Sequence, residues 1–183
     1  MPFESAEREF ARNYLNATAS AFLETIPAGL TADQWNFKPA PDVWSVGECA
    51  EHVAITEASL LRLIERATRT PQAQDPADSL TDDQVLRAYA NRNFKATAPQ
   101  GVRPVGKLDT PERAAAAFQL SRERTLAWLD GTQADLHAHR LPHPILGVDL
   151  DAYQWLLIMG AHPERHAAQI REVMAHPDFP RNE

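Results

Sequence analysis

His162 and His166 stand four positions apart in the run YQWLLIMGAHPERHAAQI, whose apolar residues recur at helical spacing. Residues i and i+4 project from one face of a helix, a turn apart. That face is the apolar one, so both imidazoles are aimed inward. His52 falls on the equivalent stripe of an earlier helical segment, with Cys49, Thr56, Leu60 and Leu63. Three inward imidazoles from two helices are the smallest donor set for a divalent ion held between facing helices. A single inward histidine is ordinarily a hydrogen-bonded core residue, because a buried imidazole needs a partner. The H-x-x-x-H spacing also lacks the adjacent glutamate of the HExxH metalloproteases. On the residues alone, a metal site and a hydrogen-bonded histidine core both stand.

Other residue types in the chain invite chemistry less strongly. Glu48 precedes His52 by one turn and could act as an outer ligand or general base, but a capping role already accounts for it. Cys49 lies near the same face, with no neighbouring cation to lower its pKa, and reads as a small core residue. His137, His139 and His143 form H-x-H-x-x-x-H in a proline-flanked loop and read as a surface cluster. From Leu150 to His162 a helix would rise about 18 Å, which sets that cluster apart from the inward histidines unless the loop folds back. Gln169, three residues beyond His166, is either a partner for that imidazole or an exposed amide. No GxGxxG, P-loop, CxxC or nucleophile-elbow pattern is present.

Four long amphipathic segments must position these groups. The first runs from about Ser5 to Ile26, with Phe10, Tyr14, Ala17 and Ala21 on one stripe. The second opens at a capping box, Ser45 to Glu48, and continues to about Arg66. The third begins with Thr110 as cap and Pro111 at the first helical position, with Ala114, Phe118, Ser121, Thr125 and Trp128 inward. The last spans about Leu150 to Ala175, capped near Asp149, with Trp155, Met159, His162, His166, Ile170 and Val173 inward. Pro163 removes a helical hydrogen bond to Met159, which predicts a kink at Gly160–Pro163. A short turn follows Thr31, and a small accessory helix covers Thr81 to about Phe94. Proline-rich connections and the region from Gly131 to Val148 read as irregular. Residues 1–183 are expected to form one all-α domain, a four-helix bundle with long connections that do not suit the simplest up-and-down order.

Composition narrows the classes further. The chain has 183 residues, 44% hydrophobic and 23% charged, which suits a folded core rather than disorder. One cysteine excludes an internal disulfide framework and fits a reducing compartment. A formal charge of −7 offers no footprint for nucleic acid. The longest apolar stretch, around Trp155 to Ala161, is too short to span a bilayer, so a cytoplasmic location without a membrane partner is expected.

The pieces WSVGECAEH, LPHPILG and YQWLLIMGAHPERHAAQI, in this order, resemble the DinB/YfiT-like superfamily of metalloenzymes over most of the chain from Asn16 to Met174. The resemblance implies a four-helix bundle with three histidine ligands, which fall on His52, His162 and His166 here. Pro163 departs from the family, which usually has a helix-compatible residue between the paired histidines. Three neutral imidazoles suit zinc or nickel and leave a coordination position for water or a thiolate. The ligand set therefore fits either a hydrolase or a thiol-dependent S-transferase acting on a small molecule, with a low-molecular-weight thiol as partner in the second case. A homodimer is a further implication of the resemblance. The alternative is a non-catalytic metal-binding or stress-related helical module.

Overall fold

The computed structural model describes residues 3–70, 80–91 and 97–181. Its helices start where the sequence supplies a side chain for the unpaired N–H groups of a first turn. Helix α1 (Ser5–Leu23) follows Glu4, whose N–H is held by the Glu7 carboxylate at 3.0 Å. The short α2 (Ala32–Asn36) follows Thr31, and α3 (Val46–Ala67) follows Ser45, each in a reciprocal capping box. Helix α4 (Asp82–Ala90) is capped by Thr81, and α5 (Pro111–Gly131) by Thr110 with proline in its first turn. The expected end of α4 at Phe94 lies outside the described residues. Helix α6 (Ala152–Met174) is capped by Asp151 rather than by Asp149.

Helix α1 packs against α6 and α5, and α3 packs against the same two. The four long helices therefore follow the cyclic order α1, α6, α3, α5, so that α1 and α3, consecutive in sequence, lie across a diagonal. This is the arrangement that the long connections require. Helix α4 covers α6 from outside this ring.

Two readings of the sequence are corrected here. The inner stripe of α1 is Ala11, Leu15, Thr18 and Phe22, one position out of phase with the expected set. Phe10 stays half-exposed, stacked on Tyr14 at 6.0 Å, because Leu15 and Phe22 carry more apolar surface into the core. The loop after α5 holds a small antiparallel pair, β1 (Arg140–Pro142) and β2 (Asp149–Asp151), with Leu141 opposite Leu150. Strands of three residues are too short to show an alternating pattern.

Helix α6 continues unbroken through Pro163. Gly160 makes room for Tyr14. A Cβ there would lie 2.4 Å from the Tyr14 ring, so the glycine lets α1 approach α6 closely. Buried apolar residues form two clusters, one around Leu15, Ile64, Leu129 and Leu156, the other around Phe22, Trp35, Phe118 and Ile170. On α6, Met159 belongs to the first and Ala167 to the second. His162 and His166 lie along the helix where it passes from one to the other. No described helix is long and apolar enough to cross a membrane.

Candidate metal centre

The three histidines expected to face inward converge. One ring nitrogen from each of His52, His162 and His166 lies within 4.8 Å of the other two, and the ring centroids are 4.6 to 4.9 Å apart. Helix α3 supplies the first from its second turn. Helix α6 supplies the other two from successive turns of one face.

Hydrogen bonds fix how the rings present their lone pairs. His52 Nδ1 lies 2.6 Å from the carbonyl oxygen of Val102, which can only accept. That nitrogen therefore carries the proton, and the Nε2 of a neutral ring is a bare acceptor. His52 Nε2 faces His162 Nε2 at 3.1 Å. His166 Nδ1 lies 3.1 Å from Gln169 Oε1, which orients that ring in the same manner. Partners of this kind set the tautomer of metal-binding histidines.

Electrostatics favour neutral rings. Burial lowers the pKa of His52, against the opposing effect of the Val102 hydrogen bond. Burial pushes His162 well below its ordinary value, and His166 and His52 beside it add to the effect. The chemistry of this donor set fits a borderline divalent ion. Tetrahedral zinc, with bonds of about 2.0–2.1 Å, holds imidazole nitrogens roughly 3.3 Å apart, close to the His52–His162 separation.

Trp44 packs against the group, its ring 4.7 Å from His52 and stacked at 5.9 Å on His166. From sequence, Trp44 reads as bulk for the core or the cleft wall and as an apolar staple at the helix entrance. The group opens onto a cavity of about 1260 Å³, whose wall includes Trp44. Leu60, Leu63, Ile145, Leu146 and Trp155 make much of its wall apolar, and its polar lining includes Tyr89, His143 and Arg165.

The remaining candidates separate clearly. Glu48 caps α3, accepting from Ser45 N–H at 2.9 Å and from Lys38 Nζ at 3.0 Å, and is not part of the histidine group. Cys49 is buried in the apolar cluster of Phe22 and Trp35. The loop histidines form neither a cluster nor a surface feature. His137 bridges Glu7 and Asp151, His139 is buried, and His143 is buried against Trp155. The loop folds back, so His143 reaches the cavity that the distance along α6 alone did not suggest. Val102 left no signal in sequence, because it contributes only a backbone carbonyl.

A family model for the DinB superfamily matches residues 7–170. The chain is 22% identical over 145 residues to the uncharacterized protein YuaE of Bacillus subtilis (strain 168), covering 79% of this chain and 86% of YuaE. Among solved structures, it is similar to YfiT from Bacillus subtilis, described as a probable metal-dependent hydrolase with an unusual four-helix bundle topology. That likeness has a TM-score of 0.63 at 15% identity, over 94% of this chain and 88% of the other. At that identity the likeness concerns the fold.

Proposed function

The chain belongs to the DinB superfamily, and on that premise we propose that it is a metal-dependent enzyme acting on a small molecule. His52, His162 and His166 are the ligands of one divalent ion, zinc or nickel. The observation that carries this reading is the convergence of three ring nitrogens at the wall of a large cavity. When bound, the ion supplies Lewis-acid chemistry, polarising an oxygen or favouring the deprotonated form of a water or thiol.

The protein's own groups prepare that chemistry. Val102 and Gln169 hold the His52 and His166 rings in place. Burial keeps His52 and His162 neutral and ready to donate lone pairs. Trp44 packs on the His52 and His166 rings and forms part of the wall of the cavity that admits a ligand. Hydrolysis is the leading reaction, in line with the activity ascribed to YfiT. Thiol-dependent S-transfer is favoured by the cavity's volume. At about 1260 Å³ it exceeds the usual range for one small ligand and has room for a thiol beside a substrate.

Elemental analysis of untagged protein, beside His52→Ala and His166→Ala, tests the assignment. About one zinc or nickel per chain is expected, lost in both variants with helical circular dichroism retained. Full metal content in either variant, or no metal and no thermal shift on adding Zn²⁺ or Ni²⁺, overturns it and favours a non-catalytic helical module. Turnover of ester and amide substrates with and without added thiols then separates hydrolysis from transfer.

A further inference from the structure

The cavity beside the three histidines contains a second polar station, formed by Tyr89 at the end of α4 and His143 in the loop between β1 and β2. The His143 backbone is fixed on both sides. Its N–H donates to Val148 O at 2.8 Å, and its carbonyl accepts from Gly147 N at 3.0 Å. Its ring stacks on Trp155 with centroids 4.7 Å apart. Nδ1 accepts the backbone N–H groups of Ile145 and Leu146 at 3.3 and 3.0 Å. Backbone amides can only donate, so Nδ1 carries no proton and the neutral ring is protonated at Nε2. Nε2–H then donates to Tyr89 Oη, 2.9 Å away. The Tyr89 oxygen is thus engaged as an acceptor, and its own proton is not used by His143. Among the described residues no other hydrogen bond to Tyr89 Oη is present, and both side chains line the cavity.

We infer that Tyr89 is a ligand-binding residue whose hydroxyl donates to a carboxylate oxygen of a small molecule in the cavity. His143 is a positioning residue that fixes the direction of that donation. Arg165 favours an anionic acceptor. It donates to the backbone carbonyls of Tyr89 and Asn91 at 3.2 and 2.8 Å, so its guanidinium sits at the end of α4 that carries the phenol, and it lines the same cavity. Burial of the phenol raises its pKa and keeps the proton in place for donation. The reach of the ligand follows from α6. Trp155, under His143, precedes His162 by seven residues on one helix face, a rise of about 10 Å. Leu60, Leu63, Ile145 and Leu146 line the cavity shared by the two stations. The ligand class is therefore a carboxylate with an apolar body about 10 Å long, its far end at the histidines. The position of that far end rests on the metal reading above.

Calorimetry on zinc-loaded protein compares two probes, hexanohydroxamate and the monohydroxamate of adipic acid, which differ by a terminal carboxylate. Wild type is expected to bind the carboxylate probe about tenfold more tightly, the effect of one charge-assisted hydrogen bond. Tyr89→Phe is expected to abolish that preference while binding hexanohydroxamate within about twofold of wild type. His143→Ala reduces the preference in the same direction. Equal binding of both probes by wild type, or a preference retained in Tyr89→Phe, overturns the inference. A second measurement does not depend on metal. Hexanoate titrated into metal-free protein is expected to shift the ¹⁵N resonance of His143 Nε2–H in wild type and not in Tyr89→Phe. A shift there in a chain that binds no zinc leaves this inference standing and removes the metal reading. Absence of the shift, or a His143 ring protonated at Nδ1, overturns the inference whatever the metal site does.

Discussion

Arg122 Nη2 donates to the carbonyl oxygen of Met159 at 2.9 Å, and Met159 is the residue whose helical partner Pro163 removes. Proline at position i has no N–H for the carbonyl at i−4. A side chain from α5 therefore supplies the donor that α6 lacks. The same guanidinium is held by Glu57 of α3, through Nε at 2.6 Å and Nη2 at 3.1 Å, and it also reaches the carbonyl of Leu15 in α1. All four long helices meet at this one buried group, a turn from His162 along α6.

The arrangement predicts coupling between Arg122 and Pro163. Arg122→Met leaves the Glu57 carboxylate buried without its cation, with only the Thr125 hydroxyl beside it, which costs about 3–5 kcal/mol. Pro163→Ala returns an amide donor to Met159, so losing Arg122 in that background is expected to cost about 1 kcal/mol less. Urea unfolding of the four proteins in the double-mutant cycle measures the difference. Strict additivity would mean that the arginine does not compensate for the proline.

Glu51 is expected to act on the histidine group from a distance. Its carboxylate accepts the N–H groups of Val105, Gly106 and Lys107 at 3.2, 2.8 and 2.9 Å. That contact pins the loop carrying Val102, whose carbonyl orients His52. Glu51→Ala releases the loop and is expected to weaken zinc affinity about 10-fold or more, the scale found for lost outer partners. Competition with a chromogenic chelator reads the affinity. Unchanged affinity with lowered thermal stability would confine Glu51 to a structural role.

Features carried by neighbouring residues were legible in the sequence. The boxes at Ser45/Glu48 and Thr31/Gln34, and the Thr110–Pro111 start, need only a few consecutive positions, and each is formed as expected. The inward direction of His52, His162 and His166 followed from helical spacing for the same reason. Helix α1 shows the limit of periodicity. The repeat of Phe10, Tyr14, Ala17 and Ala21 is as regular as that of Ala11, Leu15, Thr18 and Phe22, and only packing against α5 and α6 selects the second. Contacts between distant segments left no local trace. Trp44 on His166, Val102 on His52 and His143 on Trp155 each depend on how a connection folds back.

The loop histidines are expected to give opposite pH dependences. His137 places one ring nitrogen 3.0 Å from Asp151 and the other 3.1 Å from Glu7, and only an imidazolium can donate to both. Burial opposes its charge, but the two carboxylates prevail and its pKa is raised. Its stabilising contribution is therefore full below pH 6.5 and lost as pH rises through the raised value. Burial lowers His143 to about 4, so its contribution is full above pH 6.5 and lost as pH falls toward 4. Unfolding free energies across this range for wild type, His137→Gln and His143→Gln test both. The stability gap to wild type is expected to narrow with rising pH for His137→Gln and with falling pH for His143→Gln. A pH-independent gap for either variant would refute the corresponding assignment.

Gly47 and Gly160 distinguish two kinds of close approach. A Cβ at Gly47 would lie 2.6 Å from the Trp35 indole nitrogen, and at Gly160 2.4 Å from the Tyr14 ring. The distances alone suggest a worse clash at Gly160. The surroundings reverse that order. Trp35 is buried within the apolar cluster and has nowhere to move, whereas Tyr14 is only half-buried, with its hydroxyl at the surface holding Glu164 at 2.9 Å. Alanine in a helix regains about 1 kcal/mol over glycine, while overpacking costs about 1–3 kcal/mol where neighbours cannot yield. Gly47→Ala is therefore expected to destabilise by up to about 2 kcal/mol, and Gly160→Ala to be near neutral or stabilising as Tyr14 swings outward. Thermal melts of the two variants decide the matter. The reverse order would show that Tyr14 is held as rigidly as Trp35, and that the α1–α6 contact sets the spacing of the bundle beside His162.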